Sequence, residues 1–118
     1  ADSRMEPLRW IKAQVGQTLR LIPVDDSDFL RAEDKYTTVA WRGDHGEAAE
    51  AVVRVPLKEL AARLDSAQFA QVHRSVIVNL HRVSQVTRSL NETAEVHLAG
   101  RPEVLPVSRS FVHLFRQM

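Results

Sequence analysis

Apolar and polar residues alternate along this chain in short runs broken by turn-forming clusters, the pattern of antiparallel strands. Leu8 to Gln14 alternates loosely, with Val15-Gly16-Gln17 as its turn. Thr18 to Val24 follows and stops at the acidic break Asp25-Asp26-Ser27-Asp28. Phe29 to Ala32 reads as a short strand ending at Glu33-Asp34-Lys35, and Tyr36 to Trp41, rich in β-branched and aromatic residues, as the next. Arg42-Gly43-Asp44-His45-Gly46 turns the chain, and Glu50 to Val55 alternates until Pro56.

The period then changes. Leu57, Leu60, Ala61 and Leu64 fall at i, i+3, i+4 and i+7, the stripe of an amphipathic helix, with Pro56 in a first turn where its missing donor costs nothing. Phe69 to Val72, Val76 to Val78, Val83 to Thr87, Glu95 to Leu98 and Glu103 to Val107 read as further strands. Ser89 to Glu92 and Ala99-Gly100-Arg101-Pro102 serve as connections. From Ser108 to Met118, Phe111, Leu114 and Phe115 recur at helical spacing behind Ser108 as an N-cap. The pattern predicts an antiparallel, mainly β domain of nine or ten short strands, with one short central helix and a C-terminal helix.

Length and composition narrow this further. At 118 residues and 44% hydrophobic, the chain suits one domain with a real core. No apolar run approaches the ~20 residues of a membrane span, and the N-terminus has no apolar signal region. Residues 1–7 read as a linker or expression remnant, and the missing initiator methionine suggests a piece of a longer protein. With no cysteine, disulfides, thiolate catalysis and cysteine-based zinc sites are excluded.

The net charge of +1 gives no support for a nucleic-acid partner, but its distribution is uneven. Residues 1–70 hold 10 Lys/Arg against 12 Asp/Glu, and residues 71–118 hold 6 Arg against 3 acids. All the basic residues of the second part are arginine, whose fork suits phosphate and guanine edges. Catalytic signatures are missing: the four glycines are scattered, there is no Gly-x-Ser-x-Gly elbow and no His-Glu-x-x-His, and the histidines show no paired ligand spacing. A non-enzymatic protein without metal or cofactor is expected.

Two local features stand out. His73-Arg74-Ser75 wedges three polar side chains between Val72 and Val76-Ile77-Val78. Its plain reading is a solvated loop or a core-edge hydrogen-bond network. Its functional reading is a DNA-facing loop, with Arg for guanine and Ser and His for phosphate. Pro106-Val107-Ser108-Arg109 precedes the terminal helix, where Ser108 caps and Arg109 projects from a first turn that attracts phosphate.

The same two features carry a resemblance. Phe69-Ala-Gln-Val-His-Arg-Ser-Val-Ile-Val-Asn79 and Leu105-Pro-Val-Ser-Arg-Ser-Phe111 resemble the LytTR-type DNA-binding domain, an output module of bacterial response regulators. Weaker matches are Phe29-Leu-Arg-Ala-Glu-Asp-Lys-Tyr36 and Leu57-Lys-Glu-Leu60, all in the family's order and spacing from about Leu21 to Leu114. The resemblance implies about ten short strands in three small antiparallel sheets over residues 8–118. It also implies a cytoplasmic transcriptional regulator whose loops enter successive major grooves of duplex DNA, often at paired direct repeats, and bend it. By position, Arg109 matches a base-reading arginine and Arg74 a DNA-contacting side chain, while Lys35 and Tyr36 lie on a loop that supplies a further groove contact. His73, Ser75 and Ser108 complete the expected DNA-binding set with Asn79, for which a backbone-fixing role comes first.

The stretch Gly43 to Glu50 is acidic and should face away from phosphate. With 4 to 6 phosphate contacts, log K should fall against log salt with a slope of about −4 to −5. The resemblance further implies a receiver or sensor domain N-terminal to this segment and a possible dimer on DNA, with no membrane contact by the segment itself. The alternatives are a protein-interaction or ligand-sensing β module without DNA binding, and a small barrel for RNA or single strands. Burial of Arg74 and Arg109 in ion pairs would favour the first; aromatics interleaved with basic residues on strands would favour the second.

Overall fold

The structure is a computed structural model that describes residues 7–115. Ten strands form as the alternation predicts: β1 (Trp10–Val15), β2 (Thr18–Pro23), β3 (Ser27–Ala32), β4 (Thr37–Arg42), β5 (Ala48–Val53), β6 (Phe69–His73), β7 (Val76–Asn79), β8 (Val83–Arg88), β9 (Ala94–Leu98) and β10 (Val104–Val107). The helix α1 (Leu57–Arg63) lies between β5 and β6, with Pro56 just ahead of its first turn. The expected linker lies, apart from Pro7, outside the described residues, as does the end of the terminal helix at residues 116–118.

The strands pair throughout in antiparallel fashion, in a seven-stranded sheet ordered β2-β1-β5-β4-β3-β7-β6 and a three-stranded sheet ordered β10-β9-β8. The expected partition into three small sheets becomes two because a single residue pair, Gln14 with Val52, joins the β1–β2 hairpin to the other five strands. The central strands are covered on both faces, and successive residues divide between two cores. Leu30, Val39, Trp41 and Ile77 face a core with Ile11, Ile22 and the α1 residues Leu57 and Leu60. Their neighbours Phe29, Ala40, Val76 and Val78 face Val96, Leu98, Leu105 and Val107 of the three-stranded sheet.

Two elements depart from the expected pattern. The terminal helix is a 3-10 helix over Arg109–Phe115, entered by the short-range hydrogen bond from Phe111 N–H to Ser108 O at 2.9 Å. The acidic break ends two residues early: a 3-10 turn occupies Val24–Asp26, and β3 starts at Ser27 with Asp28 fully buried.

Asp28 is buried because cations follow it inside. Arg101 Nε lies 2.5 Å and Arg42 Nε 2.8 Å from its Oδ2, and Arg82 Nε lies 3.5 Å from its Oδ1. Arg101 also donates to the carbonyls of Trp41 and Ala49, both at 3.0 Å. The β9–β10 turn of the small sheet is thereby fastened into one end of the large sheet.

Candidate nucleic-acid interface

At the opposite end of β3 and β4, two backbone hydrogen bonds draw three connections together. Ala32 N–H donates to Ser75 O at 2.8 Å, joining the end of β3 to the β6–β7 turn. Ser108 N–H donates to Val72 O at 2.9 Å, joining the end of β10 to β6. The β3–β4 turn is closed by Glu33 N–H on Tyr36 O at 2.8 Å. Residues 33–36, 73–75 and 108–109 therefore share one end of the domain, where β3, β4 and β7 are buried on both faces.

Lys35, Tyr36, Arg74 and Arg109 are exposed there. None of Lys35, Arg74 and Arg109 appears in the ion pairs found among the described residues, which employ Arg20, Arg31, Arg42, Arg82 and Arg101. Of the six arginines after residue 70, Arg82 and Arg101 serve the Asp28 cluster, so the positive excess read from the sequence is divided between two ends. Nearby, Arg31 Nε lies 3.3 Å from Glu33 Oε2 and offsets that carboxylate, while Asp34 remains exposed beside Lys35.

The His73-Arg74-Ser75 turn organises itself. Ser75 N–H donates to His73 Nδ1 at 3.2 Å and the Ser75 hydroxyl lies 2.9 Å from the same nitrogen. That nitrogen therefore acts as acceptor, which puts the ring proton of a neutral imidazole on Nε2. Gln71 Nε2 reaches the Arg74 carbonyl at 3.4 Å, leaving the guanidinium to solvent. His73, Ser108 and Arg109 line one shallow depression together with Ser89 and Thr93 from the β8–β9 connection and Glu95 of β9.

Asn79 is the exception among the expected contacts. It is fully buried; its Nδ2 donates to Ser27 O at 2.8 Å and its Oδ1 accepts from His81 N–H at 3.0 Å. With both amide groups spent on backbone and no exposed surface, it fixes the chain and offers nothing to a duplex.

The acidic β4–β5 turn lies at the far end of β4 from Tyr36, since Arg42 pairs with Ala48 there and Thr37 with Val53 at the near end. Asp44 Oδ1 lies 3.6 Å from Arg20, and Glu47 Oε1 accepts from the His45 amide at 2.9 Å. Hydrogen bonds from its own amide and that of His45 hold the Glu47 carboxyl below its usual range.

What sequence reading missed is the β8–β9 connection. Arg88, Ser89 and Thr93 sit at the same end because β8 ends where β9 begins, with Arg88 paired to Ala94.

A rigid β scaffold that gathers exposed basic and hydroxyl side chains on the turns of one end is a loop-presenting binding module. The chain belongs to the LytTr DNA-binding domain family, whose model matches residues 17–118. It is 39% identical over 107 residues to an uncharacterized response regulatory protein of Vibrio cholerae, covering 91% of this chain and 40% of that protein. Over 96 residues it is 30% identical to the transcriptional regulatory protein YpdB of Escherichia coli, covering 81% of this chain and 37% of YpdB. Over 111 residues it is 32% identical to the heme-containing CO-sensing transcriptional regulator RcoM 1 of Paraburkholderia xenovorans, covering 92% of this chain and 39% of that regulator. The chain thus spans about two fifths of the length of these relatives. In fold it is similar to a LytTr DNA-binding domain from Bacillus cereus, with a TM-score of 0.81 at 24% identity, covering 93% of this chain and 95% of that one.

Proposed function

We propose that this chain is the DNA-binding output domain of a cytoplasmic bacterial transcription regulator, and that its loop end enters successive major grooves of duplex DNA. The observation that carries this reading is the pair of hydrogen bonds, Ala32 to Ser75 and Ser108 to Val72, that brings Lys35, Arg74 and Arg109 to one end on unyielding strands. Arg109 reads bases with its fork, and Arg74 makes a second base or phosphate contact. Lys35 and Tyr36 supply the adjoining groove contact. Ser75 and Ser108 donate to phosphate, and His73 sets the turn through Nδ1 while its Nε2–H is left for the backbone.

Burial of Arg74 and Arg109 in ion pairs would have favoured the protein-interaction alternative, and both are exposed. The remainder of the protein is proposed to hold a receiver or sensor domain, and two copies to meet on paired direct repeats. Among the described residues no helix is long and apolar enough to cross a membrane.

Methylation of guanine N7, which blocks the major groove, tests the mode of binding on duplexes recovered by selection. Interference is expected at two clusters separated by about one helical turn. Binding indifferent to N7 methylation would sink the major-groove reading.

A further inference from the structure

The β8–β9 connection is left unused by the three loops described above, yet it borders them. Ser89 and Thr93 line the same depression as His73, Ser108 and Arg109. Arg88, the last residue of β8, pairs with Ala94, which lines that depression as well. Arg88 is exposed, and it is absent from the ion pairs among the described residues.

The connection is also held in one shape. Ser89 N–H donates to Thr93 O at 2.9 Å, and the Thr93 hydroxyl donates to Leu90 O at 3.2 Å. Asn91 and Glu92 both adopt left-handed backbone, with φ of 68° and 62°. Asparagine tolerates that conformation, but glutamate enters it at a cost, so the surrounding hydrogen bonds fix the turn against local preference. The short 3-10 turn Leu90–Glu92 packs against the helix Arg109–Phe115, which ties its position to that of Arg109.

We infer that this connection is a fourth DNA contact, in which Arg88 binds a backbone phosphate flanking the bases reached by Arg109. The inference rests on the DNA-binding reading above. Arg88 then acts as a positioning contact: it fixes register on the duplex and carries no base preference of its own. Glu92, exposed on the same turn, opposes phosphate, so its neutralisation should act in the opposite sense.

The test measures affinity against salt concentration on a duplex selected by the unaltered protein. Arg88→Gln should lower the slope of log K against log salt by about one in magnitude while leaving base preference unchanged, and Arg88→Lys should restore the slope. Glu92→Gln should tighten binding. Arg63→Gln, an exposed charge on α1 beside Leu8, should leave the slope as it was, with thermal unfolding confirming that all variants fold. If Arg109→Ala weakens binding but Arg88→Gln leaves affinity or slope unchanged, the fourth contact is wrong and the DNA-binding reading stands. If the unaltered protein binds no duplex, both fall together.

Discussion

Arg101 Nε lies 2.5 Å from the Asp28 carboxylate, with both side chains sealed from water, and this contact joins the small sheet to the end of the large one. Two further guanidinium groups, of Arg42 and Arg82, lie within 3.5 Å of the same carboxylate. The Asp28 carboxylate is thus shared by three cations, of which Arg101 also reaches Glu103 Oε2 at 3.2 Å, at the end of the domain remote from Lys35, Arg74 and Arg109. Removing one partner of a buried pair strands the rest in a poor environment.

Asp28→Ala is accordingly expected to cost about 3–5 kcal/mol of folding stability, read from the midpoint and slope of urea unfolding. A loss under ~1 kcal/mol would mean that the guanidinium groups reach water and that the cluster holds nothing together.

Asn79→Ala should also act on stability alone. It leaves the Ser27 carbonyl and the His81 amide without their partner, a cost of about 1–3 kcal/mol. Base preference should stay unchanged at temperatures where the variant is folded. Unaltered stability with altered base preference would put Asn79 at the DNA after all.

These two residues mark where sequence reading reached its limit. The β-branched and aromatic run Tyr36 to Trp41 announced β4, and the stripe Leu57, Leu60, Leu64 announced α1, because local composition and periodicity are enough to set the type of each element. Asp28 could not be read this way. Its burial depends on Arg42, Arg82 and Arg101, which reach it only once the sheets have packed, so an acidic cluster looked like a break. Polar residues in an apolar setting pointed to the turn 73–75, whereas the backbone partners of Asn79, the Ser27 carbonyl and the His81 amide, are fixed only by the folded chain. Arg88 was passed over because its neighbours Ser89 and Thr93 join His73 and Arg109 only once the two sheets have packed.

Arg109→Ala is expected to lose about 1–3 kcal/mol on a selected duplex and to flatten base preference, measured by competition between selected and scrambled sequences. Equal losses on both would make Arg109 a phosphate contact.

Lys35→Ala should behave differently, weakening selected and scrambled duplexes alike and reducing the salt slope by about one. An affinity that does not move would take the β3–β4 turn out of the interface.

The central claim is that the loop end reads base sequence, and selection from a pool of random duplex DNA at near-physiological salt tests it most directly. The folded domain should enrich a short motif, and the Arg74→Ala and Arg109→Ala proteins should enrich it poorly or not at all. A folded domain that enriches nothing, or variants that enrich the same motif as well as the unaltered protein, would contradict the account.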